Sequence, residues 1–332
     1  MPFPVLRTPF VVLSEIISVL EPREIVTASF CSIKMERLLR SHYQQRKPLE
    51  WKLFMLDYDS YGCVEIAKSK MNIRTAVMMT RHIAELGVAH RSDKLRFSPE
   101  CSILYTKDRV FGTKLIVDYV TDLFDLDVYG LVIDRTCTWA IDWINTRQEK
   151  MLGGMGLSAN LKHNWYADAT VDYVLRKVCA TKCLSIRDNV SDHFRFDGKL
   201  GPAEHLVIQP YGHWVTINNL MNYDFNNILI TGSSLSVSDF NSFLRHWRAG
   251  GSPRLAFLEV YFENDLTIFD NFDEDLEIVE TNEVRRYRVV ADEDREFEIQ
   301  GGYSIQRTDG VKATINCDIR MFTMVVWHAD RN

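Results

Sequence analysis

The apolar residues near the start of the chain repeat with the period of a helix. They are Leu13, Ile16, Ile17 and Leu20. Residues three or four apart lie on one side of a helix, so the spacing predicts a first helix from about Pro9. Pro22 favours the first turn of a second helix, because its missing N–H needs no partner there and Glu24 complements the positive helix end.

The apolar pattern continues beyond this second start. It includes Ile25, Val26, Phe30, Met35, Leu38 and Leu39. The pattern predicts two or three short, very hydrophobic helices within the first 40 residues. Domains below about 40 residues usually need disulfides, metal or a partner, so this segment cannot cover its own apolar surface. We expect it to be held by another protein or to pack on the rest of this chain.

Beyond residue 125 short apolar stretches recur at a nearly constant interval. Each stretch is centred on a leucine: Leu131, Leu157, Leu184, Leu206, Leu229 and Leu258. The steps between these leucines are 26, 27, 22, 23 and 29 residues, which lie within the leucine-rich-repeat period of about 20 to 29 residues. This spacing predicts an irregular β-α solenoid with a curved sheet. The same alternation of strands and helices is also compatible with an ordinary α/β sheet.

Helical segments lie between the predicted strands. WAIDWINTRQEK, DATVDYVLRKVCA, WVTINNLMNY and SVSDFNSFLRHWRAGG each have apolar residues three or four apart. Before them, residues 51–127 combine a strand-like WKLFMLDY, an amphipathic MNIRTAVMMTRHIAELG and a helix predicted from Thr113 to Phe124. The leucine spacing does not decide the number of strands in that part.

The period changes to two after about residue 283. VRRYRVV, EFEIQ, GYSIQR and VKATINC alternate between polar and apolar positions. The tripeptide Thr308-Asp309-Gly310 between the last two predicts a tight hairpin. We expect antiparallel strands that close the otherwise unpaired edge of the repeat sheet.

Composition and charge narrow the class of protein. With 332 residues, of which 46% are hydrophobic, the chain is long enough for one large or two ordinary domains. The net charge is −6, with +3 in the first 52 residues and −9 in the remainder, which disfavours nucleic acid as the main partner of the large part.

Ser14 and Glu15 interrupt the early apolar run, and no stretch has the length of a membrane span. We expect a cytoplasmic or nuclear protein.

Candidate chemical sites are weak. The seven cysteines are scattered without Cys-x-x-Cys pairs, so free thiols are expected rather than disulfides or zinc. The cluster Gly153, Gly154 and Gly156 lacks the rest of a phosphate-binding motif. His213 and His246 have no recognisable nucleophile beside them. The acidic run Asp270, Asp273, Glu274, Asp275 and Glu277 lacks the pattern of a calcium loop. We expect no enzyme activity, no metal and no cofactor.

The first 40 residues resemble an F-box. The family pattern is matched by Thr8-Pro9, Ile16, Leu20, Glu24 before Ile25-Val26, and Phe30-Cys31. Thr8 replaces the family's leucine and Phe30 its valine. The resemblance implies docking on the Skp-type adaptor of a cullin-RING ubiquitin ligase. The adaptor-binding residues it implies are Pro9, Leu13, Ile16, Ile17, Leu20, Pro22, Glu24, Ile25, Val26, Phe30 and Cys31.

The stretch from about 190 to 270 resembles the F-box-associated type 2 region, which follows an F-box in a large group of nematode proteins. The matching positions are Trp214, Asn219, Leu220, Asn241, Phe243, Trp247 and Gly251. The two resemblances occur in the order that the family has.

The predicted fold is therefore α/β, and α+β overall. We predict three parts: a helical F-box at residues 1–45, a leucine-rich-repeat-like body at 46–282, and an antiparallel β cap at 283–332. The resemblance implies a substrate-receptor subunit that binds the adaptor and an unknown protein target. The alternative is an interaction scaffold outside any ligase, whose N-terminal helices pack on the body. An α/β enzyme would require a deep pocket with converging titratable groups near the strand ends.

Overall fold

A computed structural model describes residues 8–68, 73–86, 95–98, 100–160, 162, 165–263, 272–288 and 296–327. The chain forms two compact units, Met1–Leu152 and Gly153–Asn332. We refer to them as unit 1 and unit 2. Residues 3–7 of the F-box resemblance and Asp270 of the acidic run lie outside the described residues.

Both units mix helices and strands, so the predicted α/β class is confirmed. The helices of the described residues are α1 (Phe10–Val19), α2 (Pro22–Ser29), α3 (Ile33–Gln45), α4 (Arg109–Phe124), α5 (Trp139–Arg147), α6 (Asp168–Lys177), α7 (Ile217–Asn222) and α8 (Val237–Arg248). The strands of unit 1 are β1 (Trp51–Asp57), β2 (Tyr61–Lys68), β3 (Arg74–His82), β4 (Leu95–Phe97), β5 (Ser102–Thr106) and β6 (Val128–Ile133). Those of unit 2 are β7 (Leu152–Leu157), β8 (Ala180–Ile186), β9 (Leu200–Ile208), β10 (Tyr223–Ser233), β11 (Phe257–Phe262), β12 (Val279–Arg288), β13 (Glu296–Gln306), β14 (Lys312–Cys317) and β15 (Met321–Trp327).

Local polar contacts determine where the N-terminal helices begin. Pro22 occupies the first position of α2, as predicted, and the Glu24 carboxylate accepts the backbone N–H of Glu21 at 2.8 Å. The Ser32 hydroxyl caps α3 by accepting the N–H of Met35 at 3.1 Å. The starts of α2 and α3 are therefore explained by their own capping residues.

The sheet of unit 1 has the strand order β6-β1-β2-β3-β5-β4. Strands β1, β2 and β3 are antiparallel neighbours, whereas β6 is parallel to β1 and β5 is parallel to β3. The amphipathic segment of the middle region thus contains a strand, β3. The helix predicted from Thr113 is confirmed as α4, but it starts at Arg109 because Asp108 caps it through the N–H of Phe111 at 3.0 Å. Helices α2 and α4 pack on one face of this sheet.

The sheet of unit 2 keeps sequence order over β7-β8-β9-β10-β11 and then continues with β15-β14-β13-β12. Strands β8 to β11 are parallel to one another. Helices α6, α7 and α8 of this unit, and α5 of unit 1, form in the four segments predicted to be helical. The parallel arrangement requires such crossover segments between neighbouring strands.

One position of the predicted leucine ladder is wrong. Leu184 lies opposite Leu206, Leu206 lies opposite Ile228, and Ile228 lies opposite Leu258. Ile228, and not Leu229, therefore occupies the buried position in β10. Leu229 is only half-buried, because adjacent residues of a strand point to opposite faces.

The four C-terminal strands are antiparallel, as predicted, and β15 pairs with β11 at the end of the parallel part. The predicted hairpin joins β13 to β14, with an Arg307 N–H to Val311 carbonyl bond of 2.8 Å. Gly310 has φ +93°, a conformation that favours glycine. Strand β12 begins at Val279, a few residues before the predicted change of period.

Two features are absent from the described residues. No helix among them combines the length and apolar character needed to cross a bilayer. No group of three or more His, Cys, Asp or Glu side chains in that part of the chain is placed to hold a metal ion.

Candidate protein-interaction site

Helix α1 presents apolar side chains to solvent. Val12, Ile16 and Val19 are spaced four and three residues apart, so they form one stripe, which we call the α1 ridge. Their exposed fractions are 49%, 37% and 77%. The opposite side of α1 buries Leu13 and Ile17. A helix that is apolar on both sides while only one side is packed is typical of an interaction element.

The residues predicted to bind an adaptor divide into three groups. Leu13, Ile17, Pro22, Ile25 and Val26 are buried within the chain. Pro9, Ile16, Glu24 and Cys31 are exposed, and Leu20 and Phe30 are half-buried. Only Ile16 belongs both to the predicted set and to the α1 ridge. The docking role of the whole set stays a prediction.

Helices α2 and α3 are anchored to α4 and β1. The Phe30 ring stacks on the Tyr119 ring at 4.9 Å, and the Ser29 and Tyr119 hydroxyls are 2.6 Å apart. Tyr43 packs against Trp51 and Phe124. The sequence analysis did not identify Tyr119. The sequence shows only that Tyr119 lies within the helix predicted to end at Phe124.

A link also exists between α1 and the end of α3. Arg46, which follows α3, donates to the buried Ser14 hydroxyl at 2.7 Å. Glu21, which precedes α2, forms an exposed ion pair of 2.9 Å with Lys68 at the end of β2. The buried side of α1 is thereby held in place while the α1 ridge remains accessible.

Six of the seven positions of the second resemblance lie in the interior of unit 2, and Gly251 is half-buried. Trp214, Leu220, Phe243 and Trp247 are fully buried, and Asn219 and Asn241 are nearly so. Trp214 packs edge-on against Phe194 and Phe196. These residues therefore support the fold rather than form a recognition surface.

The polar and glycine positions of this set also have structural roles. Asn219 and Thr216 form a capping box at the start of α7, and the Asn219 amide donates to the Phe196 carbonyl at 2.6 Å. A Cβ on Gly251 would lie 2.1 Å from the His246 ring, so only glycine fits there without rearrangement.

The described part of the acidic run pairs with α8. Arg245 forms ion pairs with Asp273 and Asp275, and Arg248 pairs with Glu277. These three carboxylates therefore lie beside cations on the last turns of α8. Such exposed pairs contribute little individually, about 0 to 1 kcal/mol each.

A buried polar cluster lies at the carboxyl ends of the parallel strands β1 and β6, where open α/β sheets often bind ligands. Asp57 is fully buried and forms an ion pair with Arg109. The Thr113 hydroxyl donates to the Asp57 carboxylate at 3.2 Å. Burial raises the pKa of Asp57, and Arg109 opposes that effect. The cluster connects β1 to the first turns of α4.

Cys137 in this cluster is a poor nucleophile. It is fully buried, and burial raises the pKa of its thiol well above the ordinary value.

A separate, open and polar cleft of about 410 Å³ in unit 1 is lined by Arg40, Gln44, Lys47, Thr121, Asp122, Asp125, Leu126, Asp127 and Arg147.

An exposed apolar helix face on a mixed α/β body is the arrangement of an interaction protein. Comparison with known proteins agrees with this class. Residues 201–260, from β9 to β11, match the F-box associated family, and all seven predicted positions fall within the match. The resemblance to the nematode-type F-box-associated family is thereby confirmed.

The chain is also similar to the "F-box associated domain-containing protein sdz-33" of Caenorhabditis elegans. It is 28% identical over 122 residues, which are 34% of this chain and 36% of the relative. The chain thus matches about a third of the length of that curated relative. No solved structure matches the chain.

Proposed function

We propose that this chain is a substrate-receptor subunit of an SCF-type cullin-RING ubiquitin ligase. In this proposal the N-terminal helices bind a Skp-type adaptor and the remaining chain binds a protein target. The match of residues 201–260 to the F-box associated family supports the general interaction role. The α1 ridge carries the docking part of the proposal, because it leaves three apolar side chains exposed beside a packed helix face.

Unit 2 is proposed to act as a leucine-rich-repeat-like recognition body. This interpretation rests on the consecutive parallel strands β8 to β11 and on the buried Leu184, Leu206, Ile228 and Leu258 that lie opposite one another. Stacked strand-helix units of this kind offer extended surfaces for protein targets.

The proposed receptor contributes position instead of chemistry. Holding a target close to a ubiquitin-charged enzyme raises the effective concentration of its lysines, so no reacting group is required from the receptor. The protein would therefore not be an enzyme and would need no cofactor. Its place of action would be the cytoplasm or the nucleus.

The test is co-purification of the full-length chain with a Skp-type adaptor. We expect the wild-type chain to bind and the double variant Val12→Asp/Val19→Asp to lose binding, because two carboxylates on the α1 ridge cannot be desolvated in an apolar interface. The matched control is Val279→Asp/Val284→Asp, which places the same change on exposed valines of β12. The control should bind like wild type.

Point variants are preferable to deletion of residues 1–40. Deletion would remove Phe30 and Leu39 from their packing sites and leave Tyr119 uncovered, so loss of binding could follow from misfolding. Leu20→Asp has the same weakness, because Leu20 is half-buried. The ridge residues project into solvent, so their substitution leaves the folded unit intact.

The alternative function is an interaction scaffold outside any ligase. The burial of Leu13, Ile17 and Ile25 in the chain itself favours this alternative. A folded full-length chain that fails to bind any Skp-type adaptor would support the scaffold. Binding that survives the ridge variant would refute the docking surface.

A further inference from the structure

One face of the unit 1 sheet has an apolar cluster without a second layer. The cluster consists of the buried Phe54, Leu56, Cys63 and Ala67. The partly buried hydrophobic residues packed on it are Tyr58, Tyr61, Ala76, Met79, Tyr129 and Val132. All of them belong to β1, β2, β3, β6 or the turn after β1, so within the described residues no helix covers this cluster. We call this surface the open face.

The open face differs from the solvated side of an ordinary antiparallel sheet. Such a sheet usually alternates apolar residues toward the core with polar residues toward water. Here the other face, under α2 and α4, is also apolar, with Leu53, Met55 and Val64 fully buried. The cluster itself is at most 9% exposed, so the accessible apolar area of this face comes from the half-buried side chains around it, such as Tyr58, Tyr61 and Tyr129. Accessible apolar side chains grouped in this way are typical of interaction sites.

Cations lie over the aromatic rings of the open face. The Arg74 guanidinium is 3.8 Å from the Phe54 ring centre, and the Lys52 ammonium is 4.8 Å from that of Tyr129. Lys52 and Arg74 both lie opposite Ala67, which places them in one row across the sheet. The rings hold these cations in defined positions.

The next strands extend the positive charge. The Arg96 guanidinium on β4 is 5.9 Å from the Tyr105 ring centre. Tyr105 lies opposite Arg81, and Arg81 lies opposite Tyr61, so these side chains share the open face. Arg81 pairs at 3.7 Å with the exposed Glu85.

Negative charge on this face is small. Glu65 lies opposite Phe54 and Ala76 and is the carboxylate that the described strands place in the middle of the face. Burial raises the pKa of Glu65, although Arg74 opposes the shift. Arg81 is offset by its partner Glu85, so Lys52, Arg74 and Arg96 remain against the one half-buried carboxylate of Glu65. The face is therefore net positive.

We propose that the open face binds an acidic, amphipathic segment of a partner protein. Apolar side chains of the partner would pack on the half-buried Tyr58, Tyr61 and Tyr129 around the cluster. The partner's carboxylates would meet Lys52, Arg74 and Arg96. Single-stranded nucleic acid fits less well, because bases need bare rings for stacking and cations already cover Phe54, Tyr105 and Tyr129. This site is separate from the α1 ridge and goes beyond the proposed receptor function.

The experiment is fluorescence anisotropy on the full-length chain with three labelled probes. The first is a peptide of alternating glutamate and leucine, whose leucines lie on one side when it is extended. The second replaces every glutamate by lysine, and the third is oligouridine. We expect the glutamate peptide to bind most tightly, with an affinity that falls as salt is raised.

Charge variants locate the binding. Lys52→Glu/Arg74→Glu should weaken the glutamate peptide by about tenfold or more, because like charges then face each other. Lys52→Gln/Arg74→Gln keeps much of the side-chain length and should give a smaller loss in the same direction if the reversal variant misfolds. The control is Lys199→Glu/Lys312→Glu, which changes net charge equally at exposed positions of unit 2 and should leave affinity unchanged.

Three results would overturn the proposal. The first is that the glutamate peptide binds wild type and both open-face variants equally. The second is that the lysine peptide binds as tightly as the glutamate peptide. The third is that oligouridine binds more tightly than the glutamate peptide. Adaptor co-purification should be the same for wild type and the open-face variants. Failure of the open-face proposal is therefore distinguishable from failure of adaptor docking.

Discussion

The two segments with family resemblance use their apolar residues differently. In the F-box-associated stretch the matching tryptophans, Trp214 and Trp247, lie fully inside unit 2. In the N-terminal segment Leu13 and Ile25 are buried, whereas Val12, Ile16 and Val19 on α1 are exposed. The residues that match the family are therefore core residues in the F-box-associated stretch. In the N-terminal segment they include both core and surface residues. Stability measurements can separate these roles.

The largest expected effect is that of Trp247→Ala. Trp247 is fully buried in α8, with the Arg307 guanidinium 5.5 Å from its ring centre. Removing the indole leaves a cavity, so the free energy of unfolding should fall by about 4 kcal/mol. The measurement is urea unfolding followed by circular dichroism.

The matched control for that variant is Trp165→Ala, because Trp165 is 52% exposed. It should lower the free energy of unfolding by clearly less than Trp247→Ala does, because about half of its side chain is already exposed to water. Equal effects of the two tryptophan variants would contradict a structural role for the resemblance positions.

The second effect concerns the buried part of the N-terminal segment. Ile25→Ala should lower the free energy of unfolding of unit 1 by about 3 kcal/mol, since Ile25 on α2 is fully buried. Thermal melting monitored by circular dichroism measures this loss. Ile33→Ala is the control, because Ile33 is 67% exposed at the start of α3. If both variants melt together with wild type, α2 is not part of the unit 1 core.

The smallest of the three effects is that of Asn219→Ala. The variant loses the cap of α7 and the bond to the Phe196 carbonyl, which should cost about 1 to 2 kcal/mol. Urea unfolding is again the measurement. The exposed neighbour Asn218 provides the control variant Asn218→Ala, and a loss of the same size there would exclude the capping explanation.

Much of the secondary structure could be predicted from local pattern. The starts of α1 and α2, helices α5 to α8 and the antiparallel C-terminal strands follow from periodicity, proline position and turn residues. The exact ladder in β10 could not be predicted, because Ile228 and Leu229 are both apolar and only strand pairing decides which one faces the core. The first residue of α4 could not be predicted either, because it depends on one capping residue, Asp108.

The site was harder to predict than the fold. Helical spacing identified Ile16 and Ile17 together, yet one is exposed and the other is buried. Exposure depends on where neighbouring elements pack, for example on the contact of Phe30 with Tyr119, which is 89 positions away in the sequence. The open face was also missed, because its cations come from β1, β3 and β4 and meet only across the sheet.

Residue order and composition were sufficient to predict the alternation of helices and strands, the order of the two resembling segments and the distribution of charge. These properties depend on neighbouring residues and on composition. The tertiary structure alone decided which apolar residues are core and which are surface. Burial arises from contacts between segments distant in the chain, and a one-residue change of register moves a side chain to the opposite face of a sheet. For this reason the α1 ridge and the open face became visible only in the folded chain.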